Sequence, residues 1–120
     1  MTGPANAIGT VRRMKSRFDV AEEDGVVVLR IRGDLDIAVE DDAVAAVSRA
    51  LATDSPPAFL VLDLSEVEFM DSSGVRALLR VHNEHGPNVR LGPVSDVVER
   101  LLELTGTIDL FAPGEGRKEG

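Results

Sequence analysis

The sequence contains no cysteine, tryptophan or tyrosine, and aromatic residues fill only 3% of its 120 positions. Without cysteine there is no disulfide, no thiolate metal ligand and no thiol nucleophile. His82 and His85 are the only imidazoles, too few for a histidine-rich metal site. So few rings leave little with which to stack nucleic-acid bases, and the core must be assembled from Val, Leu, Ile and Ala. Long apolar runs are missing as well. Runs such as Phe59–Leu62 fall far short of the roughly 20 residues that span a bilayer, and the N-terminus lacks the apolar stretch of a secretory signal. Neither a Gly-x-Gly-x-x-Gly run nor a P-loop pattern occurs, so nucleotide hydrolysis has no support. A cytoplasmic chain with no membrane partner, no metal and no cofactor is expected.

What is present describes one domain. Apolar residues make up 43% and charged residues 28%, an ordinary globular balance, and the length suits a single core. The net charge is −8 but unevenly spread. Residues 1–17 hold Arg12, Arg13, Lys15 and Arg17 and no acid, whereas the rest carries nine basic and twenty-one acidic side chains. So acidic a body argues against a nucleic-acid groove and favours a basic or arginine-bearing protein partner. Residues 1–15 read as a flexible basic arm, 16–111 as the folded domain, and 112–120 as a flexible tail.

Periodicity orders the domain. Arg17–Ala21 and Val26–Arg32 flank Asp24-Gly25, the turn signal of a hairpin. Gly33-Asp34-Leu35-Asp36 reads as a loop into a helix over about 39–52, where Val44, Val47 and Leu51 recur at helical spacing. Glu40, Asp41 and Asp42 crowd its first turn, where the helix dipole favours acids. Phe59–Leu64 is apolar on both faces apart from Asp63, as in a central strand. A second helix starts near Ser72 and ends at Gly86-Pro87. Asn88–Leu91 forms a short strand, Ser95 caps a third helix with Val98, Leu101 and Leu102 inward, and Gly106 ends it. Residues 107–111 add a last short element. The order ββαβαβα predicts an α/β fold with a mixed sheet, an N-terminal hairpin and helices packed on it.

The informative stretch is Asp63-Leu64-Ser65-Glu66-Val67-Glu68-Phe69-Met70-Asp71-Ser72-Ser73-Gly74. A strand runs out into a short loop and a helix opens on Asp-Ser-Ser-Gly, with Ser72 at or beside the N-cap. On local chemistry alone two roles stand level for Ser72, a helix cap or an exposed reactive hydroxyl. Gly74 in the first turn costs about 0.5–1 kcal/mol relative to Ala, which is informative if it keeps the site bare for another protein.

This stretch, with Val75 and the apolar helix after it, resembles the signature of the STAS family, specifically the bacterial anti-sigma-factor antagonists. Gly33-Asp34-Leu35-Asp36 resembles the family's upstream Gly-Glu-Leu-Asp turn. The resemblance covers roughly residues 16–111. It implies a single STAS-like domain that works as a regulatory switch rather than an enzyme. The first serine after the aspartate, here Ser72, would be phosphorylated by an anti-sigma factor with a GHKL-type serine kinase fold. The unphosphorylated protein would bind that factor and free its sigma factor. The phosphorylated form would let go until a serine phosphatase resets it. Asp36, Asp71, Ser73, Gly74 and Arg76 would form the partner-binding surface around the switch, with Asp63 a further acidic neighbour. Two positions depart from the pattern. Val39 stands where many relatives have Ser or Thr, and Arg76 ends a Gly-Val-Arg run where many have Gly-Leu-Gly. Arg76 would alter partner choice or pair with Asp71.

An enzyme built on Ser72 with His82 or His85 as its base is disfavoured, His85 being the farther of the two along the helix. Ten residues along one helix separate Ser72 from His82 by about 15 Å, and a nucleophile–base hydrogen bond needs about 3 Å. The remaining alternative is another STAS role, as a subunit of an ABC-type transporter or a stress-signalling scaffold.

Overall fold

The computed structural model describes residues 17–111. The expected arm at 1–15 and tail at 112–120 lie outside the described residues. Strand β1 (Phe18–Glu23) and β2 (Val26–Leu35) precede α1 (Glu40–Leu51); β3 (Leu60–Met70) precedes α2 (Ser72–His85); β4 (Val89–Val94) precedes α3 (Asp96–Thr105), and a 3₁₀ turn at Thr107–Leu110 follows. The strands form one sheet in the order β1-β2-β3-β4. β1 and β2 are antiparallel, while β2–β3 and β3–β4 are parallel. This is the mixed α/β sheet expected.

The hairpin turns on Asp24 and Gly25 with φ of 54° and 79°. Two successive positive values are the requirement of a type I′ turn, whose twist matches that of paired strands. Leu29, Ile31 and Leu35 of β2, Leu60, Leu62 and Leu64 of β3, and Val89 and Leu91 of β4 join Val44 and Val47 of α1, Leu78 and Val81 of α2, and Val98 and Leu102 of α3 in one buried cluster. Val61 and Asp63 are buried outside that cluster. Their alternation with Leu60, Leu62 and Leu64 puts them on the opposite face of the sheet.

Both central strands run further than periodicity suggested. Gly33-Asp34-Leu35 is the end of β2 rather than a loop, pairing Gly33 with Val67, Asp34 with Phe69 and Leu35 with Met70 across a register shift. Ser65–Met70 is strand rather than loop. The reason is tertiary. Leu35, Val67 and Met70 are buried, and burying their backbone requires that each carbonyl and amide find a ladder partner. Arg17, at the start of the folded domain, has a structural role here. Its guanidinium donates to the carbonyls of Asp34 at 2.7 Å and Arg32 at 3.4 Å, and its own carbonyl accepts from Arg32 N–H.

The pairing of Leu35 with Met70 has one consequence for function. β2 and β3 stop side by side, so the Asp36 loop and the Asp71-Ser72 start of α2 leave the same end of the sheet.

Candidate functional site

Asp71 caps α2. Its backbone is extended (φ −123°, ψ −167°) and its Oδ1 accepts from Ser73 N–H at 2.9 Å and Gly74 N–H at 3.4 Å. A carboxylate in this position satisfies two of the orphan amides of the first turn and complements the helix dipole. Ser72 is therefore the first helical residue and not the cap. It is exposed, and among the described residues its hydroxyl has no hydrogen-bond partner. Of the two roles level in the sequence, the cap belongs to its neighbour.

Ser73 differs sharply from Ser72. It is only 7% exposed, and its hydroxyl accepts from Arg76 Nη2 at 3.3 Å. Gly74 is buried too, which corrects the expectation that it keeps the surface bare. A Cβ there would lie 2.5 Å from the Leu35 carbonyl oxygen and 2.6 Å from Met70 Cγ. Gly74 lets α2 rest directly on the ends of β2 and β3, and its place is set by packing from below.

Arg76 does not pair with Asp71. Its Nε and Nη2 donate to the two carboxylate oxygens of Glu40 at 2.9 and 3.0 Å, a bidentate clasp. Arg80 adds a third hydrogen bond to Glu40 at 3.0 Å and one to Asp41 at 2.8 Å. Glu40 is 7% exposed, and the Arg76 and Arg80 hydrogen bonds hold its carboxyl below the usual range against the opposing effect of desolvation. The first acids of α1 thus do more than complement a dipole: Glu40 and Asp41 tie α1 to α2. Nothing in the local sequence announces this, because the partners stand 36 and 40 positions apart. Two arginines one turn apart, facing an acid on the next helix, are the only trace.

Val39 occupies the N-cap of α1 without a side-chain cap bond and is buried in the core. Its side chain contributes apolar packing rather than a capping hydrogen bond. Asp36 organises the loop before it, accepting from Ala38 N–H on Oδ1 at 3.1 Å and from Val39 N–H on its carbonyl at 2.9 Å. Ile37 beside it is 72% exposed and Phe69, near the end of β3, is 47% exposed. Two large apolar side chains thus flank the same end of the sheet that presents Ser72, a feature the sequence pattern did not single out.

Asp63 does not belong to this surface. It faces the far side of the sheet, where Arg30 donates to Oδ2 at 3.1 Å and Ser65 donates its hydroxyl and N–H to Oδ1 at 2.6 and 3.0 Å. Desolvation pushes its carboxyl up, but the Ser65 and Arg30 hydrogen bonds outweigh it and leave the group below its usual range. The imidazoles are also elsewhere. His85 Nε2 lies 3.2 Å from Ser48 Oγ, and the His82 ring stands edge-on to Phe111 with centroids 5.5 Å apart. Neither activates Ser72. Among the described residues no group of three His, Asp or Glu could hold a metal ion, and no helix is long and apolar enough to cross a membrane.

Known proteins resemble the chain in both sequence and shape. Residues 17–118 match the STAS domain. The chain is 37% identical over 94 residues to the anti-sigma-F factor antagonist RsfB of Mycobacterium tuberculosis, covering 77% of this chain and 75% of that protein. A crystal structure of an anti-sigma factor antagonist from Mycobacterium paratuberculosis superposes with a TM-score of 0.69 at 29% identity, covering 82% of this chain and 84% of the other. A sulfate transporter family protein from Wolinella succinogenes shares the fold, with a TM-score of 0.59 at 23% identity over 74% of this chain and 73% of that one. The chain belongs to the STAS-domain family of anti-sigma-factor antagonists.

Proposed function

We propose that this protein is an anti-sigma-factor antagonist whose unphosphorylated form binds an anti-sigma factor with a GHKL-type serine kinase fold, and that phosphorylation of Ser72 switches it off. The observation that carries the reading is the idle hydroxyl of Ser72, exposed at the start of α2 while Asp71 does the capping. A serine with no structural duty can be modified without disturbing the helix. The naming of a 37%-identical relative as an anti-sigma-F factor antagonist supports the partner class.

The chemistry of an off-switch follows from the surroundings. A phosphate adds about −1.5 to −2 charge at neutral pH. It would sit beside the Asp71 carboxylate and at the sheet end that also presents Asp36. A helix N-terminus tolerates the anion, so the fold persists and the change is felt across the interface. Ile37 and Phe69 supply apolar contact area on that side. The buried Ser73 and Gly74 shape the surface from beneath rather than touching the partner. A serine phosphatase would restore the binding form.

Incubation with candidate anti-sigma kinases and ATP, read by intact mass, tests this. One added phosphate is expected, and it should vanish in Ser72→Ala. Labelling that persists in that variant refutes the site. Co-purification with the ATPase of an ABC-type transporter instead of a kinase would refute the partner class.

A further inference from the structure

Arg76 stands one helical turn beyond Ser72. Side chains on a helix lean toward its N-terminus, and Arg76 does so far enough for Nη2 to reach Ser73 Oγ at 3.3 Å. Its side chain is half-exposed, unlike the Glu40 carboxylate it clasps. Glu40 holds a second guanidinium, that of Arg80, at 3.0 Å. Arg76 can therefore turn away without stranding a buried carboxylate.

We propose that Arg76 is the intramolecular receptor for a phosphate on Ser72, exchanging Glu40 for the phosphate and leaving Glu40 on Arg80. This deepens the assignment of Ser72 as the modified residue and rests on it. Two observations favour the exchange. The amides that would otherwise cradle an anion at this helix start, Ser73 N–H and Gly74 N–H, already donate to Asp71. Among the described residues, Asp36, Asp71, Glu40 and Asp41 at this end are acidic, Arg17 is held on the Arg32 and Asp34 carbonyls, and Arg80 is engaged with Glu40 and Asp41 a further turn along α2. Arg76 is the cation one helical turn from Ser72. A dianionic phosphate with three acceptor oxygens is also a stronger bidentate partner for a guanidinium than a carboxylate that is already shared. Phosphorylation would then be read in two places, as charge at Ser72 and as a loosened α1–α2 clasp at Glu40.

The test uses the full chain with phosphoserine installed at position 72 during translation, so that it needs no kinase. A ³¹P NMR titration should place the second phosphate pKa in the otherwise native chain about 0.3 unit below that in Arg76→Gln, the scale of an i,i+4 ion pair. Arg76→Lys should recover part of the difference. Glu40→Gln, which ends the competition for Arg76, should lower the phosphate pKa further. Coincident titrations of the native background and Arg76→Gln overturn the proposal, as does a Glu40→Gln curve that matches the native one. Circular dichroism of each unphosphorylated variant establishes that it is folded. Failure of every kinase to label Ser72 would strike the functional assignment and leave this measurement standing.

Discussion

Two helices in this domain begin just after a parallel strand, and each has a serine at its start, yet the two serines have opposite fates. At α3, Ser95 is the cap. Its hydroxyl donates to the Val67 carbonyl at 2.7 Å, receives Val98 N–H at 3.5 Å, and its own N–H donates to the Leu64 carbonyl. The hydroxyl and the N–H of that serine both reach β3 and so tie the start of α3 to that strand. At α2, Asp71 takes the capping duty and Ser72 is left over. Residue type alone does not make a serine available for chemistry. What matters is whether a neighbour has relieved it of structural work.

The contrast can be broken by substitution. The largest effect is expected at Gly74→Ala, where the new methyl group meets the Leu35 carbonyl and Met70. Overpacking of this kind costs about 1–3 kcal/mol, read as a lower urea midpoint at unchanged m-value. Ser95→Ala should cost about 1 kcal/mol for the cap, and more where the Val67 carbonyl is left without its donor. Asp71→Ala should cost about 1 kcal/mol, with the loss concentrated in amide exchange at the first turn of α2.

Acid should act on the clasp that α2 has and α3 lacks. Glu40 and Asp63 are both held below their ordinary pKa values. Their contribution is therefore present above the unfolded carboxylate pKa, about 4, and is lost as pH falls through the lower folded values. Urea midpoints should be level from neutral pH down to about 5 and drop below about 4. Glu40→Gln should flatten that acid limb, and an unchanged limb would refute the assignment. The smallest effect is reserved for Ser72→Ala, whose stability should stay within about 0.5 kcal/mol of the native chain. A loss as large as that of Ser95→Ala would erase the distinction between the two serines.

Much of the fold was legible because it rests on local signals. Asp24-Gly25 marked the hairpin, the apolar spacing marked three helices, and Ser95 and Gly106 marked the ends of α3. The family signature brought Ser72 forward. What was not legible depends on contacts between distant segments. The extension of β2 through Gly33-Asp34-Leu35 runs against the turn propensity of its residues and is decided by pairing with β3. Asp71 and Ser72 are both good caps by type, and only the backbone angles decide between them. Gly74 looked like a surface feature because the Leu35 carbonyl beneath it is 39 residues away in the chain. Glu40 looked like one of three equivalent acids, until two arginines of α2 set it apart.

The aspartate cap has a further consequence for how this protein would be studied or evolved. Because Asp71 secures the helix, the residue at position 72 contributes almost nothing to the folded population. A selection that reads abundance, protease resistance or thermal midpoint will pass nearly any side chain there and rank the position as neutral. The same screen will penalise changes at Asp71, Gly74 and Glu40. A map of mutational tolerance built on stability would thus leave a hole at Ser72, the centre of the site proposed above, and only a screen scored on partner capture would fill it.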